Sequence, residues 1–230
     1  MKVVLFGATG MVGQGALREC LLDDRVERVL TVGRTATGTQ HPKVTELVPE
    51  DLGDLSPHAE ELAEYDACFF CLGVSSAGMP AEEYERITYA LTLSVARTYA
   101  QARPNATFLY VSGAGTDSTE RGRVRWARVK GATENALARL PLDAYAFRPG
   151  FIQPQHGITS KTPLYRGIYR VTAPLFPLLQ RFPAMFITTE VLGRAMISVA
   201  ADGYPRRILE SRDLNDVGRR DRPGGSPGPR

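Results

Sequence analysis

The chain predicts a doubly wound α/β fold: a parallel sheet with helices on both faces and a small C-terminal cap. Three observations carry this. Short apolar runs of strand length alternate with longer stretches of helical period over most of the 230 residues. The first apolar run opens directly into a glycine-rich turn followed by a helical pattern. The hydrophobic residues, 43% of the chain, suffice for one sizeable core, yet no apolar run reaches the roughly 18 residues that a membrane-spanning helix needs.

In chain order, Lys2 to Phe6 reads as a strand, Met11 to Leu22 as a helix and Arg28 to Val32 as a second strand, which together make a βαβ unit. Further strands are expected at Val44 to Val48, Ala67 to Leu72, Thr107 to Ser112, Ala144 to Arg148 and Arg207 to Glu210. Helices are expected at Glu82 to Ala102, Val124 to Leu140 and Thr188 to Ala201. The order strand, helix, strand implies right-handed crossovers and a parallel sheet. Residues 1–217 are thus read as one domain. From Pro149 to about Ile187 the pattern turns rich in Pro, Gly and aromatic residues, as expected of insertions over the carboxyl ends of the strands. The Gly-, Pro- and Arg-dense tail 218–230 is expected to be disordered.

Composition narrows the partners. The formal charge of +3 is accounted for by the four arginines and one aspartate of that tail, so the body is neutral and no nucleic-acid partner is expected. The cluster Arg121, Arg123, Arg125, Arg128 and Lys130 reads as a solvated helix face or as cofactor-side residues. Three cysteines, Cys20, Cys68 and Cys71, argue against a disulfide framework, and the apolar start is too short for a signal-peptide core, so a cytoplasmic protein is expected. Alternation along a strand sends Cys68 and Cys71 to opposite faces, which suits packing rather than redox chemistry. His41, His58 and His156 are scattered, and no metal site is expected.

The turn Gly7-Ala8-Thr9-Gly10-Met11-Val12-Gly13 follows a strand and opens a helix. In that context glycine backbone can approach a diphosphate while free helix N-terminal amides bind its charge. The end of the second strand reads Thr31-Val32-Gly33-Arg34-Thr35, where a carboxylate would normally hold an unphosphorylated ribose. No carboxylate occurs between Glu27 and Glu46, and a guanidinium at Arg34 can take a phosphate in bidentate fashion. The expected cofactor is therefore NADP(H).

The G-x-x-G-x-x-G spacing with Ala-Thr inside resembles the atypical and extended short-chain dehydrogenase/reductases, in the epimerase-like and NmrA-like branch of Rossmann-fold NAD(P)-binding proteins, and the resemblance extends to about Asn215. It implies that Asp51-Leu52 lies against adenine, and that Leu72, Gly73 and Val74 pass close to the cofactor ribose. It implies that Ser112 binds a substrate carbonyl and that Lys130 binds the nicotinamide ribose. It also makes Arg148-Pro149-Gly150-Phe151 a turn beside the nicotinamide.

The same resemblance calls for a tyrosine four residues before Lys130, and Trp126 stands there. An indole N–H is a donor that does not titrate in the working range, so it cannot replace a phenol as acid. Trp126 shares a helix face with Lys130 and can wall the substrate pocket. Three readings stay open: another acid acts, among them Tyr110, His156, Tyr165 and Tyr169; the chemistry needs no phenol; or the chain binds NADP(H) without turnover, as a redox sensor or interaction module. Phe151, His156 and Tyr165 are further pocket candidates. The apolar stretch from Leu164 to Ile187 faces a small apolar substrate, a homodimer partner, a membrane surface or simply the core. The enzyme reading is reduction of a small apolar carbonyl or enone.

Overall fold

The computed structural model describes residues 1–158 and 183–220. Strand β1 (Lys2–Phe6) is followed by α1 (Met11–Leu22), β2 (Arg28–Val32) and β3 (Val44–Leu47). After a short α2 (Ala59–Ala63) come β4 (Ala67–Phe70), α3 (Ala81–Glu85), α4 (Leu91–Ala102), β5 (Thr107–Val111), α5 (Arg125–Leu137) and β6 (Asp143–Arg148). Then follow β7 (Phe151–Gln153), β8 (Phe186–Thr188), α6 (Thr189–Asp202), β9 (Ile208–Glu210) and α7 (Ser211–Arg220).

Seven strands form one sheet in the order β3-β2-β1-β4-β5-β6-β9, with every pairing parallel. This is the predicted doubly wound, Rossmann-type fold. Alternation along the strands divides the core. Val3, Leu5, Val29, Phe69, Leu109 and Phe147 pack beneath α1 and α6, while Val4, Phe6, Leu30, Phe70 and Phe108 pack on the opposite face beneath α2 and α4. Cys68 joins the second cluster and Cys71 borders the first, both as free thiols. Burial pushes the Cys71 thiol up to about 12 and that of Cys68 well above its ordinary range, which keeps both uncharged and inert.

The order in which successive strands are added reverses between β1 and β4, so a crevice opens there at the carboxyl edge of the parallel sheet. Two differences from the sequence reading affect the surroundings of that crevice. The predicted helix Glu82–Ala102 is interrupted by a π-helical turn at Arg86–Ala90, whose extra residue shifts the register of α4. The expected disordered tail begins too early, because α7 runs through Gly218 to Arg220. Gly218 fits there since a Cβ would stand 2.0 Å from the carbonyl oxygen of Val191 on α6. The remainder of the tail lies outside the described residues.

From the predicted cap, β7 and β8 are seen as a separate two-stranded parallel sheet, joined to β6 by the Pro149–Gly150 turn. Residues 159–182, and with them Tyr165 and Tyr169, lie outside the described residues. Among the described residues no helix is long and apolar enough to cross a membrane.

Candidate dinucleotide and catalytic site

The glycine loop is held by backbone crowding. Gly7 has φ +78°, and a Cβ there would stand 2.9 Å from the backbone of Cys71 and Leu72, where the loops after β1 and β4 meet. A Cβ on Gly13 would lie 2.1 Å from the carbonyl oxygen of Gly7, so only glycine lets α1 start this close to the loop. Gly10 N–H donates to the Gly7 carbonyl at 2.9 Å and Gly10 caps α1 without a side-chain hydrogen bond. No acidic side chain occupies the first turn. Met11 and Val12 begin α1, and Val12 packs on the core. The helix thus presents free amides and a positive dipole end at the crevice, the chemistry an anion requires.

Beside this loop is a cavity of about 400 Å³ lined by Gly7, Ala8, Thr9, Gly33, Arg34, Thr37, Glu46, Leu52 and Leu72 among others. Arg34 is exposed at its rim, directly beyond β2. Leu52 and Leu72 both line this cavity. Asp51 does not line it: its carboxylate accepts from Gly53 N–H at 2.7 Å and closes an Asx turn. Gly73 and Val74 are also absent from its wall, and Val74 is exposed.

At the end of β5, Ser112 and Lys130 come together. Lys130 Nζ donates to the carbonyls of Val111 at 3.3 Å and Ser112 at 3.2 Å, and stands 5.3 Å from the centre of the Tyr110 ring. Burial, only partly opposed by the carboxylate of Glu134, brings its pKa down to about 8. Ser112 Oγ lies 2.9 Å from Thr116 Oγ1, which itself donates to the Gly113 carbonyl at 2.8 Å. With Thr116's single proton so used, Ser112 donates to Thr116 and turns its lone pairs outward. Thr116 was not foreseen, for no sequence signal marks it.

The loop from Gly113 to Ser118 is pressed onto α5. A Cβ on Gly131 would fall 1.8 Å from the Asp117 carbonyl oxygen, so the glycine after Lys130 is what admits the loop. Trp126, one turn before Lys130, is half-buried, with its ring edge 3.7 Å from where a Gly115 Cβ would stand.

The other expected site residues have definite partners. The side chain of Arg148 is committed to protein partners: Nε donates to Glu134 Oε1 at 3.1 Å, with further bonds to Ser118 and Glu210. Its neighbours shape the turn instead. The Pro149 carbonyl accepts from Ala114 N–H at 2.9 Å, and a Gly150 Cβ would meet the Met185 carbonyl at 2.3 Å. Phe151 stands on β7 with its ring 5.8 Å from that of Phe186. His156 is held by Glu190 at 2.8 Å, itself paired with Arg194. Tyr110 is 1% exposed, and burial raises its phenol far above the range in which an acid works.

No family model matches the sequence. Curated relatives are the proteins named fmp52, mitochondrial, of Aspergillus niger, 27% identical over 158 residues, 66% of this chain and 66% of the relative, and of Aspergillus clavatus, 28% identical over 67% of this chain and 68% of the relative. The chain thus matches about two thirds of the length of these relatives. Their name overturns the cytoplasmic expectation: the composition of the first strand is fixed by the sheet it enters and carries no information on compartment.

Among solved structures, the chain is similar to the Bordetella bronchiseptica enzyme WbmF in complex with NAD+, with TM-score 0.65 and 17% identity over 94% of this chain and 76% of that one. It is also similar to a Burkholderia thailandensis oxidoreductase of the short-chain dehydrogenase/reductase family, with TM-score 0.62 and 17% identity over 93% and 92%. The resemblance seen in the glycine motif therefore extends to the fold.

Proposed function

We propose that the chain is an NADP(H)-dependent oxidoreductase of short-chain dehydrogenase/reductase type, acting on a small apolar carbonyl or enone. The observation that carries this reading is the meeting of Ser112 and Lys130 at the carboxyl end of β5, in the same sheet edge as the glycine loop. The residues fit a dinucleotide: Gly7 and Gly13 let the loop after β1 and the start of α1 pack backbone against backbone beside the cavity, and α1 starts there without a side-chain cap. Arg34 at the cavity rim supports the phosphorylated form. The likeness to WbmF, a protein solved in complex with NAD+, supports the dinucleotide class.

A bound nicotinamide dinucleotide supplies the hydride. Lys130 holds positive charge next to the reacting end and stabilises an oxyanion there, and near neutral pH it carries a proton. Ser112 orients the substrate oxygen once Thr116 turns its own hydroxyl toward the serine, which frees the serine proton. Trp126 walls the pocket and keeps it apolar.

Trp126 also favours a second reading, in which the chain binds NADP(H) without turning it over and acts as a redox sensor or interaction module. The two separate on turnover. A panel of small ketones, aldehydes and enones should include at least one whose addition consumes NADPH. Tight NADPH binding with no consumption across the panel would sink the enzyme reading and leave the sensor.

A further inference from the structure

Edge strand β3 pairs with β2 so that Glu46 stands opposite Thr31, next to the strand end from which Gly33, Arg34 and Thr35 continue. The ladder extends one step further, with Gly33 N–H donating to the Leu47 carbonyl at 3.2 Å. The chain then turns back over the cavity. Glu46 Oε1 gathers that turn: it accepts from Thr37 N–H at 2.8 Å, from Gly38 N–H at 3.1 Å and from the Thr37 hydroxyl. The Thr37 hydroxyl in turn accepts from Thr39 N–H at 3.1 Å, and Gly38 takes φ +74°. The hydrogen bonds, that of the Thr37 hydroxyl foremost, hold the Glu46 carboxyl below the usual range, so it is ionised at neutral pH.

A carboxylate and a guanidinium thus border one cavity. An acidic residue at the end of the second strand accepts ribose hydroxyls and so favours the unphosphorylated dinucleotide. Here the acid stands on the neighbouring strand, and one of its oxygens is saturated by the very loop that carries Arg34.

We propose that Glu46 is a positioning residue for selection of a 2′-phosphorylated dinucleotide, an inference that rests on the NADP(H) reading above. By tying Thr37 and Gly38 through Oε1 it fixes the Arg34–Thr37 segment around the cavity and commits that oxygen to the loop.

The test uses the whole protein and two readouts. The first is cofactor-free: the rate of tryptic cleavage after Arg34, expected to rise about tenfold in Glu46→Ala and to stay within about threefold of the parent in Glu46→Gln, whose amide oxygen still accepts from Thr37 and Gly38. The second is the ratio of NADH to NADPH dissociation constants from fluorescence titration. It should fall about tenfold in Glu46→Ala, be restored by Glu46→Gln, and fall by a smaller factor in Thr37→Val, which keeps the fold should Glu46→Ala not. An unchanged ratio and cleavage rate in Glu46→Ala would overturn the proposal, as would Glu46→Gln losing as much as Glu46→Ala, which would make charge the agent. Preference of the parent protein for NADH refutes the NADP(H) reading itself, whereas the cleavage readout reports on the loop in either case.

Discussion

Arg148 and Glu134 form a two-bonded ion pair between β6 and α5, one helical turn beyond Lys130, with side chains 10% and 4% exposed. It joins the strand before the Pro149–Gly150 turn to the helix that carries Trp126 and Lys130. Removing Glu134 leaves the buried Arg148 guanidinium with only the half-exposed Glu210 carboxylate, at 3.3 Å, as counter-ion. Glu134→Gln should therefore destabilise the protein by about 3 kcal/mol in urea unfolding. Joint replacement by apolar residues, Glu134→Leu with Arg148→Met, should be much less damaging. A loss in the double variant equal to or larger than in the single would show that the pair is not the cause.

Gly13 touches the loop more closely than any side chain could. Gly13→Ala must displace α1 from the Gly7 carbonyl, with an expected cost of about 2–3 kcal/mol and loss of measurable dinucleotide binding. Thermal unfolding and fluorescence titration check the two parts. A variant that unfolds earlier yet binds normally would separate packing from ligand binding.

Arg34→Asp introduces at the end of β2 the carboxylate that the sequence lacks there. NADPH affinity should fall about 100-fold and NADH affinity change by under about fivefold, as measured by titration of each dinucleotide. Equal losses would refute the assignment of a phosphate to Arg34.

Lys130 gives a pH signature. Its pKa is lowered to about 8 on folding, so between that value and its ordinary range the unfolded chain binds the extra proton. Stability contributed through this group consequently rises with pH from about 8 upward and is absent below, the reverse of a lysine that gains a salt bridge. Lys130→Met should flatten the rise in urea-unfolding free energy between pH 8 and 10. In the reductive direction, turnover should fall as pH climbs through about 8; a flat profile there would remove Lys130 from the proton-dependent step.

Most of the sheet was legible because its signal is local. Strand-length apolar runs set β1, β2, β4, β5 and β6 within one or two residues, since each is buried on both faces and needs no partner to be recognised. The glycine spacing was legible for the same reason, because the demand for a missing Cβ is written into the residue type. Helix α7 was missed because its stripe of Leu214, Val217 and Gly218 is short and flanked by the composition of the tail; contact with α6 secures it. The roles of Arg148 and Glu46 were out of reach, since their partners Glu134 and Thr37 are set by which strands become neighbours.

By itself the sequence determined that this chain is a doubly wound α/β protein, with glycines spaced for a close backbone approach and no carboxylate at the end of its second strand. These follow from chain-local requirements: burial period, backbone crowding and residue type. Only the tertiary structure decided that Ser112 gives its proton to Thr116, that Lys130 lies beneath the end of β5 with a lowered pKa, and that Arg148 serves Glu134. A side chain's proton and charge depend on groups brought near by folding, and those groups are distant in the chain.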